Sequence, residues 1–401
     1  SKTGDTFNDT FSGIAIDGQK IIITFDKIAP DALLTFTQFA PVPKSEFEGI
    51  DPLQVQQAPF FQHPIGCGPF MVEEVNMKNY TILAPFDKYY NGVADFKIQL
   101  LPSAGDSDPN VVTRAKSGNL DYGYTKMVAD VQALEGTPGI TVTPIDVRYT
   151  RLFYLNKFDK KDGSPAPLAD VRVRQALRYA IDMETICETL FQGSAVPANA
   201  LAPDANLKGG DLNDYNYNPE KAKELLAEAN WDPNTVIKAV YYYTDQATVD
   251  LMTAVQAYLA DVGIKMEFEL VEGDLATILW TAPADQTNGP RAVDWDICYA
   301  ANAALSLHEY YDRYRTGSPT NSHTPEDAEL NRMIDATNAS ADVNAQNEAF
   351  KELIKYENEN LFTMALYYQP IFLITSDKIG DIQKGTPQFC INWDIQNWNV
   401  Q

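Results

Sequence analysis

A chain of 401 residues with 45% apolar content is long enough for two or three domains with real cores. Its 55 acidic against 31 basic residues leave a net charge of −24, a field that repels nucleic acid and anionic lipid head groups. No run of about 18 apolar residues is present, so no segment reads as a membrane span.

Residues 1–60 hold one clear strand, Lys20 to Asp26 (KIIITFD), then a stretch spotted with Pro41, Pro43 and Pro52. From Gly66 to Asn156, strand-like runs such as Tyr80 to Phe86 and Asp95 to Leu101 alternate with short helices, the pattern of one α/β lobe. Asp170 to Ala198 predicts two helices back to back. Asp170 caps the first by accepting from the amides of its opening turn. Val173, Ala176, Leu177, Ala180 and Ile181 form one apolar stripe, with Arg172, Arg174 and Arg178 on other faces. Asp182 caps the second helix, which carries Ile186 and Leu190 and stops at Gly193.

Asn218 then caps a helix with Pro219 at its first position and Ala222, Leu225, Leu226 and Ala229 inward. Ile237 to Tyr243 reads as a strand, followed by a helix with Leu251, Ala254, Val255, Tyr258 and Leu259 inward and Gly263 at its close. Ile264 to Leu270 alternates apolar and charged residues with period two. Strand, helix, strand over this length predicts a parallel βαβ crossover. Asp294 to Ala300 is a further strand, and Thr324 with Pro325 and Asp327 opens another helix. Thr363 to Gln369 is expected to return the chain to the first lobe.

The Asp170–Ala198 block, DVRVRQALRYAIDMETICETLFQGSAVPA, is one of several family signatures in order. The others are GCGPF (Gly66 to Phe70), RAKSGNLDYGY (Arg114 to Tyr124), RLFYLNKF (Arg151 to Phe158) and YNPEKAKELLAEANW (Tyr217 to Trp231). LYYQPIFLITSDKI (Leu366 to Ile379) and NWDIQNW (Asn392 to Trp398) complete the set. Together they resemble the family 5, peptide/nickel-type, solute-binding proteins of ABC importers.

The resemblance implies an α/β fold of the two-lobe, periplasmic-binding-protein-like type (type II, cluster C), with mixed sheets flanked by helices. The start, SKTGDTFNDTF, carries no export signal or lipid-attachment cysteine, so the first lobe is expected to be incomplete. Residues 1–60 would be a remnant of the extra N-terminal subdomain, 61–156 and 366–401 lobe I, and 157–365 lobe II. The implied function is capture of an extracellular solute, first of all a peptide, between hinged lobes, and delivery to an ABC transporter permease. The implied location is extracytoplasmic, in the periplasm or lipid-anchored at the outer face of the membrane through an anchor absent from this chain. An oligosaccharide is the alternative ligand.

No nucleophile elbow, phosphate-cradling loop or HExxH motif is present, so no catalytic residue is expected and an acid-residue hydrolase is the distant alternative. Asp294 and Asp296 are the acid pair such chemistry would use. Of His63, His308 and His323, only His308, with Glu309 and Asp312, approaches a metal set, and ordinary surface charge explains it better. No metal or cofactor is expected. The oxygen-rich loop Asp211 to Asn218 lacks the glycine and final glutamate of a calcium loop and reads as a turn and helix cap. Cys67, Cys187, Cys298 and Cys390 read as buried free thiols, with a Cys67–Cys390 bridge left open.

Aromatic residues carry the binding case, since a solute in a cleft needs flat apolar walls and a few polar anchors. Tyr242, alternating with Tyr241 and Tyr243 at a strand end, is a candidate wall. In the family, the strand containing Tyr299, Ala300, Ala301 and Asn302 bonds the ligand main chain. Peptide binders place an aspartate just beyond it for the free amino group, yet here no acid follows until Glu309. Arg291 is the candidate for a carboxylate contact, because its fork holds an anion with two bonds.

Overall fold

In the computed structural model, which describes residues 13–37, 40–76, 78–103, 108–209, 211–380, 382 and 394–401, local sequence accounts for most elements. Strands β1 (Ile14–Asp17) and β2 (Lys20–Ile23) form a hairpin, followed by the short helix α1 (Ala32–Phe36). β3 (Phe70–Asn76), β4 (Tyr80–Pro85) and β5 (Ile98–Leu100) form an antiparallel meander. Next come α2 (Val111–Lys116), β6 (Tyr122–Thr125), α3 (Val128–Leu134), β7 (Ile140–Ile145) and β8 (Tyr149–Leu155). Asp170 accepts from Arg172 N at 2.8 Å and starts α4 (Val171–Ala180); Asp182 accepts from Thr185 N at 3.0 Å and starts α5 (Met183–Thr189).

After β9 (Val196–Pro197), Asn218 caps α6 (Pro219–Glu228) as its spacing predicts. β10 (Val236–Tyr241), α7 (Gln246–Asp261) and β11 (Lys265–Leu270) make the expected parallel unit, α7 yielding to β11 at Gly263 with φ of 85°. The remainder is α8 (Leu275–Trp280), β12 (Ile297–Ala303), α9 (Leu307–Tyr311), α10 (Ala328–Thr337), α11 (Val343–Asn360), β13 (Thr363–Tyr368), β14 (Ile371–Ser376), β15 (Ile379–Gly380) and β16 (Asn399–Val400). The cap of α10 is Asp327, not Thr324: its carboxylate reaches Glu329 N and Leu330 N at 3.0 Å each. No helix among the described residues is long and apolar enough to cross a membrane.

Two compact units result, one from residues within 1–125, 133–143 and 373–401, the other from 126–132 and 144–372. The first is built from small sheets, β3-β4-β5 and β6-β14-β7 among them, over a small core of Val111, Ala115, Leu134 and Ile374. Ile14, Ile16, Ile21 and Ile22 of its hairpin are exposed.

The second unit centres on a six-stranded mixed sheet in the order β11-β10-β12-β8-β13-β9. β8 is buried on both faces, which is why YTRLFYL shows no apolar–polar alternation. Phe153 and Leu155 face a core built with α4, α5, α6 and α7, whereas Leu152 and Tyr154 face a second core with Trp295, Tyr310, Tyr311, Tyr314 and helices α10 and α11. Each fully buried Leu or Phe here contributes about 1.5–3 kcal/mol.

Sequence boundaries at 156 and 366 shift to 144 and 372 because β8 and β13 hydrogen-bond to each other and to β12 or β9. β13 therefore completes the second unit's sheet rather than returning to the first. Arg174 and Arg178 are not solvent-facing. Arg174 donates to the carbonyls of Leu168, Ala169 and Asn360, and Arg178 to those of Ala198 and Tyr215. Burial pulls both guanidinium pKa values down to about 10. Cys187 and Cys298 are buried free thiols, but Cys67 is exposed, and Cys390 lies outside the described residues.

Candidate functional site

β12 begins with an apolar half, Ile297 to Ala300, sealed between the two cores. Its parallel pairing with β10 stops at Tyr241 opposite Tyr299, while β12 continues to Ala303 paired only with β8. From Ala300 onward one edge of β12 has no strand partner among the described residues. This open edge lies at the carboxyl ends of β10 and β12, the side on which α/β sheets bind ligands. Along this edge Ala301 is half-buried and Ala303 exposed, whereas Ala300 and Asn302 are buried. Asn302 receives the Tyr310 hydroxyl on its carbonyl at 3.1 Å, and its buried Oδ1 has no hydrogen-bond partner.

The tyrosines stand beside that edge. Tyr242 and Tyr243 share a hydroxyl contact at 3.0 Å with ring centroids 4.3 Å apart, and burial raises both phenols. Tyr241 and Tyr243 pack toward the helix α4–α7 core and Tyr242 toward the other, as alternation predicts. Tyr299 meets Tyr243 edge-on at 5.7 Å and bonds the Tyr367 hydroxyl at 2.7 Å.

Arg291 occupies the opposite end of β12 and is 4% exposed. Its Nη1 pairs with Asp296 at 2.8 Å and donates to Trp295 O at 3.1 Å, while Nε and Nη2 donate to Phe158 O at 3.2 Å each. The fork holds an anion as its chemistry suggests, but the anion is this chain's own carboxylate. Asp296, 1% exposed, also accepts from Lys238 N at 2.9 Å and so joins β10 to β12. Asp294 by contrast is exposed and pairs with Lys238 Nζ at 3.1 Å. The two acids therefore face different surroundings and share no reacting centre.

His308 is not a surface charge. Its ring is buried against Phe350 at 4.9 Å, with Nε2 at 3.1 Å from Thr337 O. Among the described residues no group of three or more His, Cys, Asp or Glu side chains is placed to hold a metal ion.

Arg151, absent from the sequence-level candidates, lies on β8 directly opposite Ala301. Its guanidinium sits over the rings of Tyr243 at 4.2 Å, Tyr149 at 5.1 Å and Tyr299 at 5.7 Å. The available signal was a cation at an inward-facing position of an otherwise apolar strand.

The family model for bacterial extracellular solute-binding proteins, family 5 (middle region), matches residues 1–324. This chain belongs to that family. A Brucella abortus protein named as a candidate ABC transporter peptide-binding protein is 28% identical over 275 residues, 66% of this chain and 50% of that one. The oligopeptide-binding protein AppA of Bacillus subtilis is 26% identical over 272 residues, 63% of this chain and 46% of its own. The chain thus spans about half the length of these relatives. Among solved structures, the ABC transporter substrate-binding protein CtaP of Listeria monocytogenes superposes with a TM-score of 0.79 at 18% identity, covering 96% of this chain and 78% of that one. B. subtilis AppA in complex with a nonapeptide gives 0.75 at 18%, covering 97% and 78%. At these identities the structures speak to the fold, and the fold is that of family 5 binding proteins.

Proposed function

We propose that this chain is the solute-capturing component of an ABC importer, acting outside the cytoplasmic membrane. It binds a peptide without altering it and presents it to a permease. The observation that carries this reading is that β12 runs on to Ala303 after its pairing with β10 ends at Tyr299, with Ala301 and Ala303 reaching the surface beside tyrosines: an extended ligand can add to such an edge through main-chain hydrogen bonds. In this reading Ala301 offers main-chain groups and Asn302 its carboxamide, Tyr242 supplies flat support, Ala300 and Tyr299 back the strand from the core, and Arg291 anchors the base of the strand. The names of the relatives favour peptides over oligosaccharides. The split environments of Asp294 and Asp296 speak against an acid-residue hydrolase.

Thermal-shift and calorimetric titration with defined di- to nonapeptides, with maltooligosaccharides beside them, tests the proposal. Peptides are expected to raise the melting temperature saturably, by the equivalent of about 2.7 kcal/mol at a hundredfold excess over Kd. Stabilisation by sugars alone, or turnover of any added compound, would overturn it.

A further inference from the structure

Arg151 differs from the other buried arginines of its unit. Arg174 and Arg178 are satisfied by carbonyls, and Arg291 by Asp296 and carbonyls. Arg151 is 8% exposed, and its Nε and Nη1 are buried without a hydrogen-bond partner. The ionisable neighbours that act on it most strongly are phenols: Tyr299, Tyr367, Tyr149 and Tyr243. Burial holds the hydroxyls of Tyr243, Tyr299 and Tyr367 in their neutral form, so ring faces line the cation, and no carboxylate among the described residues pairs with it. A second cation, Lys126, stands 3.9 Å over the Tyr149 ring. The Arg151 guanidinium is thus a buried cation on β8, opposite Ala301 of β12.

Cation–π contact compensates a buried guanidinium only in part, and two of its donors still lack acceptors. A carboxylate meets both needs at once, because its two oxygens match the guanidinium fork. We infer that Arg151 is a ligand-binding residue that takes a carboxylate of the captured solute, from a peptide's free C-terminus or from an acidic side chain. The inference rests on the peptide-binding reading and deepens it. The solute is fixed at an acid group, in keeping with the lack of any acid between Ala300 and Glu309 that could hold an ammonium.

The test compares wild-type protein with Arg151→Met and Arg151→Lys in thermal-shift and calorimetric titrations. Four probes are used: apolar tetrapeptides with a free C-terminus, the same peptides amidated, the amidated peptides carrying one Glu, and sodium glutarate. Wild type should bind one of the two acid-bearing sets at least about 30-fold tighter than the neutral amidated set. Preference for free termini identifies the terminal carboxylate as the group held; preference for the Glu-bearing amides identifies the side chain.

Arg151→Met should abolish the preference while leaving the weak binding of neutral amides in place. It should not lower the ligand-free melting temperature, since it removes a buried charge without a counter-ion. Arg151→Lys, which keeps the charge but loses the fork, should retain only part of the preference. Equal binding of acids and neutral amides by wild type, or an acid preference that survives in Arg151→Met, overturns the inference and leaves peptide binding intact. Should no peptide bind, the peptide reading fails. A glutarate-induced stabilisation present in wild type and lost in Arg151→Met then still supports Arg151, and its absence overturns that assignment too.

Discussion

Asp296 and Arg291 neutralise each other in an interior where neither could stand alone, with carbonyls taking the remaining guanidinium donors. Truncating one partner strands the other. Arg291→Met is therefore expected to lower stability by about 3–5 kcal/mol in urea unfolding, and a double change of Arg291 and Asp296 to apolar residues by less than the single change. Glu357 presents another case: no Lys or Arg among the described residues forms an ion pair with it, and it accepts from Tyr311 Oη and Leu201 N at 2.7 Å each. Burial pushes its carboxyl up to about 8, opposed by these hydrogen bonds and by the charge of Lys208. A raised folded pKa favours folding fully below the unfolded value and loses that contribution as pH climbs, here between about 4.5 and 8. His323 works in the other direction: burial, Lys157 and Arg313 hold it well below 6.5, so its contribution is lost as pH falls beneath that value. In the overlap the two slopes oppose. Glu357→Gln should remove the alkaline-side decline and expose the His323 slope alone, read from urea midpoints across that pH range.

At the scale of elements, β8 is the hub, since it pairs with β12 and β13 and contributes to both cores. Amides of β8 and of β12 from Ile297 to Tyr299 are expected to exchange slowest with deuterium, and those of the exposed β1–β2 hairpin fastest. Leu177, fully buried under α4, should cost about 2–5 kcal/mol on change to Ala, whereas Leu33, largely exposed on α1, should change stability by no more than about 0.5 kcal/mol. Helices α4, α5, α6 and α7 were legible in the sequence because caps and apolar stripes are local signals. Strand limits were less so. The sequence places one strand at 294–300 and another ending at 243, yet pairing runs from Ile297 to Ala303 and stops at Tyr241. Ladder partners come from distant segments, and no residue pattern within a strand states where they end. The offset matters, because it is what leaves the β12 edge open.

For the molecule as a whole, a net charge of −24 sets a repulsive field for any acidic solute, even though the Arg151 guanidinium is a cation. Association of an acidic peptide should therefore quicken as salt rises, with dissociation changing little, because exposed charges are screened and the buried guanidinium is not. Stopped-flow fluorescence at several ionic strengths reads both rates. The chain's own residues determined the family, the order of α and β elements and the main capping residues, since these depend on neighbours a few positions apart. Which buried charges are already matched was decided only by tertiary packing. Arg291 is matched by Asp296 on the adjoining strand, and Arg151 is caged by Tyr149, Tyr243 and Tyr299, drawn together from three strands or strand ends. Burial turns an ordinary arginine into either a structural tie or a binding group, and burial belongs to the fold, not to any local run of residues.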